Sequence, residues 1–250
     1  MGREKFLTAC AWAVHFYTAL GAVAGLLAID FTARNDFRSA FIVMAAAVVI
    51  DSSDGPLARA VKIRQRVPIL DGALLDNVVD YINYVLAPAY LMVQAGTIPR
   101  GAGGLALAGF VMVASAYGFC RVDAKTEDNY FRGFPSYWNL VAFYLFCFGL
   151  SPIVNAVILA ILGVMVFVPI KYIYPNRTEI LRPVTITLGI IWAAVTISML
   201  PALPAHNPVL LYISLAFIVY YFATSFVLHL YPAHVGAANG GTAHIVTRDG

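Results

Sequence analysis

A chain of 250 residues that is 61% hydrophobic and only 12% charged lies far from the make-up of a soluble domain, where about a quarter of the residues carry charge. The formal net charge of +3 is too small to point to nucleic acid as a partner. Cys10, Cys120 and Cys147 lack the paired spacing of a disulfide framework or a zinc site and read as small core residues. An all-α integral membrane protein remains, one membrane domain that uses nearly the whole chain.

A membrane-crossing helix needs about 20 mostly apolar residues. In chain order the stretches that approach this are Phe6–Ile29, Phe37–Arg59, Gly72–Gln94, Gly104–Cys120, Ser136–Leu150, Pro152–Tyr172, Pro183–Leu200 and Asn207–Leu230. Breaks rich in Pro, Gly or charge separate most of them. The N-terminal stretch has no small-residue cleavage pattern after it and is predicted to be a retained first helix. Only Gly149–Pro152 divides the fifth stretch from the sixth. One kinked helix is possible there, but two are preferred, which makes about eight transmembrane helices. Beyond Tyr231 the composition turns to Pro, Ala, Gly, Asn and Thr, so a catalytic domain of residues 1–231 and a mobile cytosolic tail of residues 232–250 are expected.

Eight crossings put thirteen of the sixteen Lys and Arg on one side, leaving Arg34, Arg38 and Arg100 on the other. The rule that cationic loops face the cytosol then places both termini there.

Five of the thirteen acidic residues fall between positions 51 and 80: Asp51, Asp54, Asp71, Asp76 and Asp80. Ionisable groups inside membrane helices are costly, so such a cluster calls for a function. Asp71, just before Gly72, reads as a helix N-cap. The other four sit too far inside their helices to be caps. Spacings of three (Asp51, Asp54) and four (Asp76, Asp80) put each pair on one helix face. Counting from the rim at about 1.5 Å per residue, Asp54 and Asp51 lie about 8 and 12 Å deep, and Asp76 and Asp80 about 8 and 14 Å deep. Two antiparallel helices thus bring four carboxylates to one level. Such a group must take up protons or hold cations. Oxygen ligands without His or Cys favour Mg²⁺ or Mn²⁺, and two such ions would neutralise four carboxylates while leaving positions open for phosphate oxygens.

At these residues the chain resembles the CDP-alcohol phosphotransferase family, whose pattern D-x-x-D-G-x-x-A-R, then G-x-x-x-D-x-x-x-D, stands here as Asp51-Ser-Ser-Asp54-Gly55-Pro-Leu-Ala58-Arg59 and Gly72-Ala-Leu-Leu-Asp76-Asn-Val-Val-Asp80. Twelve residues separate Arg59 from Gly72, a longer interval than in most of the family. That interval is similar to the bacterial phosphatidylcholine synthase branch. So are the runs from Lys125 through Gly133-Phe-Pro-Ser-Tyr-Trp-Asn139 and from Tyr174-Pro-Asn-Arg177 through Leu181-Arg-Pro183.

The resemblance implies a CDP-alcohol phosphotransferase-like bundle, working as a homodimer in the bacterial inner membrane with its site toward the cytosol. It implies metal ligation by Asp51, Asp54, Asp76 and Asp80, with Asp80 also the general base. Gly55, Ala58 and Gly72 would leave room for the cytidine and its phosphates, and Arg59 would hold the diphosphate. The reaction implied is transfer of the phosphatidyl group of CDP-diacylglycerol to choline, releasing CMP, in membrane lipid. Pro56 is expected to kink the second helix. Lys62, Arg64 and Arg66 read as cytosolic flanking charge.

Choline has no donor on its nitrogen and is held by aromatic faces in a negative field. Tyr81, Tyr84, Tyr117, Tyr130, Tyr137 and Trp138 are the candidates, although such residues also gather at membrane interfaces. Asn139 is open between a substrate contact and a helix-to-helix hydrogen bond, and Arg177 and Arg182 between a lipid phosphate and flanking charge. Inositol, serine or glycerol phosphate as acceptor is the alternative within the family. A secondary transporter with a carboxylate relay is the alternative outside it, disfavoured because the acids crowd one side and no internal repeat is visible.

Overall fold

The computed structural model describes residues 2–126, 128–175, 178 and 180–231. The expectations for Arg177 and for residues 232–250 lie outside them. Every apolar stretch picked from the sequence contains a helix. The first two are α1 (Gly2–Ala33) and α2 (Phe37–Ala60), joined by a turn in which Asn35 has φ 60° and Asp36 caps α2 by accepting from Ser39 N at 3.1 Å. The helix continues through Pro56 to Ala60. A single turn, α3 (Ile63–Arg66), then leads to α4 (Gly72–Asp80). Asp71 caps α4 by accepting from Ala73 N and Leu74 N, as its position before Gly72 predicted.

The third stretch is one rod of three parts: α4, a π-helical turn (Tyr81–Leu86) and α5 (Ala87–Gln94). Pro88 explains the widening. Without an N–H it cannot bond the carbonyl four residues back, and the bond just ahead of it runs five back, from Ala87 N to Ile82 O.

Next come α6 (Ala102–Cys120), α7 (Trp138–Phe148) and α8 (Pro152–Met165). Gly149 ends α7 at φ 57°, and Ser151 caps α8 by accepting from Val154 N, so the fifth and sixth stretches are two helices. The sixth is shorter than expected. It stops at Met165, ahead of Pro169, and Lys171–Ile173 forms a strand, β2, antiparallel to β1 (Tyr130–Arg132) with Tyr130 opposite Ile173. Carbonyls released at the end of α8 are taken up by the incoming loop, through Phe134 N to Met165 O (3.0 Å) and Gly133 N to Ile170 O (2.8 Å). The chain finishes with α9 (Arg182–Met199), a 3₁₀ turn and α10 (Pro208–Leu230).

Five helices (α1, α2, α6, α9 with its 3₁₀ turn, and α10) are long and apolar enough to cross a membrane alone. At 11 and 14 residues α7 and α8 rise only about 16 and 21 Å, short of a core of about 30 Å. Large apolar side chains stay exposed around the bundle, among them Phe6, Leu105, Val113 and Ile190, each more than three-fifths accessible. Hydrocarbon is the surrounding in which such a surface is stable.

Contacts between loops sort the bundle into two ends. Gln94 reaches Asn35, Asn155 reaches Thr97 O, and Arg38 reaches Pro201 O at one end. At the other, Arg66 pairs with Glu4, and β1 pairs with β2. Arg34, Arg38 and Arg100 mark the first end, and the remaining Lys and Arg among the described residues belong to the second, so the charge asymmetry of the sequence is an asymmetry of the fold. Cys147 alone of the cysteines is buried; Cys10 is half-buried and Cys120 exposed, so only one is a core residue.

The core lies where α5, α6, α7 and α8 meet, around Trp138, Leu91, Met92, Val111 and Leu159. A separate close contact matters more for function. On α1, Gly21 and Gly25 face the rod at Val79 and Ile82, so near that a Cβ on Gly25 would collide with Ile82 Cγ2. Gly25→Val should lower thermal stability by about 1–3 kcal/mol of overpacking strain, read as a fall in the unfolding midpoint in detergent. Gly109→Ala on α6, where a Cβ meets nothing within 4 Å, should not.

Candidate active site

The residues that carry the motif are brought together by α1, which packs closely on both α2 and α4 and leaves a small space between those two. Asn83, in the π-helical turn, locks α1 to the rod: its amide donates to Gly21 O at 2.9 Å and to Val79 O at 3.0 Å. Asp51, Asp76 and Asp80 each turn a carboxylate oxygen into the space, all within 4.8 Å of one another. Its walls are Thr18, Ala47, Ile50, Asp51, Asp54, Asp76, Val79, Asp80, Asn83 and Tyr84, around a cavity of about 10 Å³. That is room for about one atom the size of a water molecule or a bare ion.

Asp54 is close but different. It is buried, it lines the same cavity, and its Oδ2 accepts from Thr18 Oγ1 at 2.8 Å, yet it stands outside the group of three. Asp51 is held from the rod side, where Tyr84 donates its hydroxyl to Oδ2 at 2.6 Å. Tyr17 and Ser53, 2.8 Å apart, add a second hydroxyl link between α1 and α2. Among the described residues none of the four aspartates forms an ion pair with Lys or Arg. Carboxylates gathered without a salt bridge, all oxygen donors, at the edge of a cavity of ionic size are a donor set suited to a hard divalent cation.

The nucleotide candidates Gly55, Ala58, Arg59 and Gly72 are not among the residues that line the cavity. Arg59 is exposed and folds back along α2, its Nη1 standing 3.4 Å from where a Cβ on Gly55 would be. Ala58 is half-buried beside it. Gly72 has a packing role the sequence did not reveal, because a Cβ there would lie 3.0 Å from the His15 ring on α1.

The six aromatic candidates divide. Tyr84 is at the carboxylates, and Tyr137 lies against it at a ring distance of 6.3 Å, with Tyr221 of α10 the same distance beyond. Tyr81 is not beside them: its hydroxyl bonds Met112 O on α6. Tyr117 packs on Phe167 and Arg121, Tyr130 lies under Lys171, and Trp138 is fully buried with its indole N–H on Ser115 Oγ. Asn139 is also buried, its Oδ1 taking Leu140 N at the start of α7. Arg182 opens α9. Thr18, Asn83 and Lys125, the last within electrostatic reach of Asp51, Asp76 and Asp80, went unnoticed as site residues in the sequence. Lys125 stood within a run singled out by its resemblance, which was the available signal.

Against known proteins, the chain is 39% identical over 229 residues to the phosphatidylcholine synthase of Legionella pneumophila, covering 89% of each chain. It is 40% identical over 218 residues to that of Legionella bozemanae, covering 84% of this chain and 100% of the relative. The chain belongs to the phosphatidylcholine synthase family. The likeness extends to the phosphatidylcholine synthase of Pseudomonas aeruginosa, at 34% over 201 residues and 84% of the relative's length. No family model matches the chain. Alignments of such length span the carboxylate helices, the β1–β2 pair and the bundle that joins them, so family membership concerns the whole fold and not the motif alone.

The Thr18 hydroxyl orients Asp54 and gives a direct test of the cation reading. Replacing it by the isosteric valine should weaken Mn²⁺ binding about 10- to 100-fold, as removal of a hydrogen bond behind a metal ligand does. Titration of the purified protein with Mn²⁺, following free ion by electron paramagnetic resonance, reads this without turnover.

Proposed function

We propose that this protein transfers the phosphatidyl group of CDP-diacylglycerol to choline, forming phosphatidylcholine and CMP. The observation that carries the reading is the convergence of Asp51, Asp76 and Asp80 within 4.8 Å, in a chain of the phosphatidylcholine synthase family. The catalytic domain is residues 1–231, set in the bacterial inner membrane as a homodimer. Both termini and the carboxylate end face the cytosol, which supports entry of choline and exit of CMP while the acyl chains stay in lipid.

Asp51, Asp76 and Asp80, with Asp54 beside them, hold two divalent cations, Mn²⁺ or Mg²⁺. When bound, these supply charge stabilisation to the diphosphate and to the departing phosphate. The protein's own groups do the rest. Arg59 offers its guanidinium to the diphosphate, and Gly55, Ala58 and Gly72 leave the backbone open to the cytidine. Asp80 accepts the choline hydroxyl proton as that oxygen attacks the lipid-side phosphorus and the bond to CMP breaks. Tyr84 fixes Asp51 through its hydroxyl, and the half-buried faces of Tyr84 and Tyr137 form the wall for the quaternary ammonium.

The decisive experiment measures CMP release from CDP-diacylglycerol by purified protein with Mn²⁺ and one alcohol at a time. Choline should support release, and inositol, serine or glycerol phosphate should not. Release with inositol alone would remove the acceptor assignment. Asp80→Asn should cut kcat by at least about 100-fold, the usual worth of a positioned base, while CDP-lipid binding survives in part. Full turnover in that variant would dismiss Asp80 as the base. Tyr137→Leu should raise KM for choline about 5- to 30-fold, with Tyr137→Phe close to the parent, because an aromatic face and not the hydroxyl meets the cation.

A further inference from the structure

The β1–β2 pair and the loop before it do more than close the bundle. Thr126 ties this loop into a tight turn, with its N–H on Tyr130 O at 2.8 Å and its hydroxyl receiving Tyr130 N at 3.0 Å. Lys125 stands in a bridge opposite Phe131, beside the strand pair. β2 is fastened in turn to α10, through Ile173 N on Ser225 Oγ and the Tyr221 hydroxyl on Ile173 O, both 3.0 Å. The backbone at Lys125 is therefore held by distant parts of the chain.

The cations of this region are sorted by their partners. Arg121 makes a two-pronged pair with Asp123, at 2.6 and 2.9 Å, and Arg132 joins the same carboxylate at 3.0 Å. These hydrogen bonds, that from Arg121 foremost, hold the Asp123 carboxyl below its ordinary range, so it stays ionised and occupied. Lys171 pairs with Asp128. Lys125 has no such pair among the described residues. It is exposed, with its ammonium 5.8 Å above the ring of Tyr174, which directly follows β2. β2 is joined through the Tyr221 hydroxyl to the run of ring contacts Tyr221–Tyr137–Tyr84, which ends on Asp51, so Lys125 stands on the side of the site that these rings occupy and within electrostatic reach of its carboxylates.

A lysine on that side of carboxylates that would themselves hold cations is poorly placed unless an anion comes between. The proposed donor brings one: its diphosphate carries two negative charges. Two divalent cations balance the four aspartates, and Arg59 on α2 with Lys125 on the loop balances the diphosphate. The acceptor is excluded as the partner of Lys125, because choline carries a fixed positive charge and an ammonium beside it would repel it.

We propose that Lys125 is a phosphate-binding residue of this site, its ammonium contacting the non-bridging oxygens of the CDP-lipid diphosphate from the β1 side while Arg59 approaches from α2. The proposal rests on the reading of the donor as a CDP-lipid. Lys125 takes no part in the proton transfer. The choline oxygen bonds to the lipid-side phosphorus, the bond from that phosphorus to the CMP oxygen breaks with its electron pair leaving on CMP, and the hydroxyl proton goes to Asp80. A compact charge on a flexible stem can follow the negative charge as it moves to the leaving phosphate.

The test uses the full chain with Mn²⁺ and compares the parent with Lys125→Gln, Lys125→Met and Lys125→Arg, varying CDP-diacylglycerol at saturating choline and then the reverse. Loss of one charged hydrogen bond should lower kcat/KM for CDP-diacylglycerol about 10- to 100-fold in the Gln and Met variants, with KM for choline within about two-fold and most of the loss regained with Arg. Unchanged Mn²⁺ affinity shows that the aspartates remain in place. The proposal is overturned if both neutral variants match the parent, if the loss appears only in KM for choline, or if Arg is no better than Gln. A parent that releases no CMP with any alcohol defeats the CDP-lipid reading itself. A parent active with another alcohol still tests Lys125 against the donor.

Discussion

Three carboxylate oxygens held within 4.8 Å of one another, with a fourth carboxylate on the same small cavity, repel strongly in a medium of low dielectric constant. Nothing within α2 or α4 offsets that repulsion, so the packing around them has to. The close approach of α1 at Gly21 and Gly25, the two amide bonds of Asn83 and the hydroxyls of Thr18 and Tyr84 are the means. Each fixes a carboxylate or the helix that bears it without supplying a positive charge. A site built this way leaves the counter-charge to come from ions and substrate, which suits a reaction whose donor is itself an anion.

The same economy governs the rim. Arg121, Arg132 and Lys171 are matched to Asp123 and Asp128, which keeps their charge local and uses it to hold the loop. Arg66 is spent on Glu4 and on the carbonyl of Val61, fastening the connection from α2 to α4. Arg59 on α2 and Lys125 on the loop, by contrast, form no ion pair among the described residues. The positive charge at this end of the bundle is thus divided between residues that anchor loops and residues that have no carboxylate partner.

Much of this was legible in the chain because it is written in local terms. Apolar length and breaks marked the eight helical regions, Asp71 before Gly72 marked a cap, and three- and four-residue spacings marked a shared face. Other features were not local. The strand at 171–173 depends on its partner at 130–132, forty residues away, and on Gly133 presenting its N–H to Ile170 O. Read as an apolar run, it was absorbed into the preceding helix. The separation of Tyr84 from Tyr81 turns on the π-helical register, which follows from where the ladder is interrupted by Pro88 and on which neighbour each ring meets.

By itself the sequence determined that this is a membrane bundle with a one-sided acidic motif on its second and third apolar segments, because hydropathy and helical period act over a few turns. Tertiary structure alone decided that Asp51, Asp76 and Asp80 meet while Asp54 turns to Thr18, that Tyr84 and Tyr137 are the aromatics at hand, and that Lys125 lies over Tyr174 beside the strand pair. Those outcomes depend on which helices α1 draws together and on how the β1–β2 pair is fastened to α10, and contacts between distant segments leave no periodic trace in the chain that makes them.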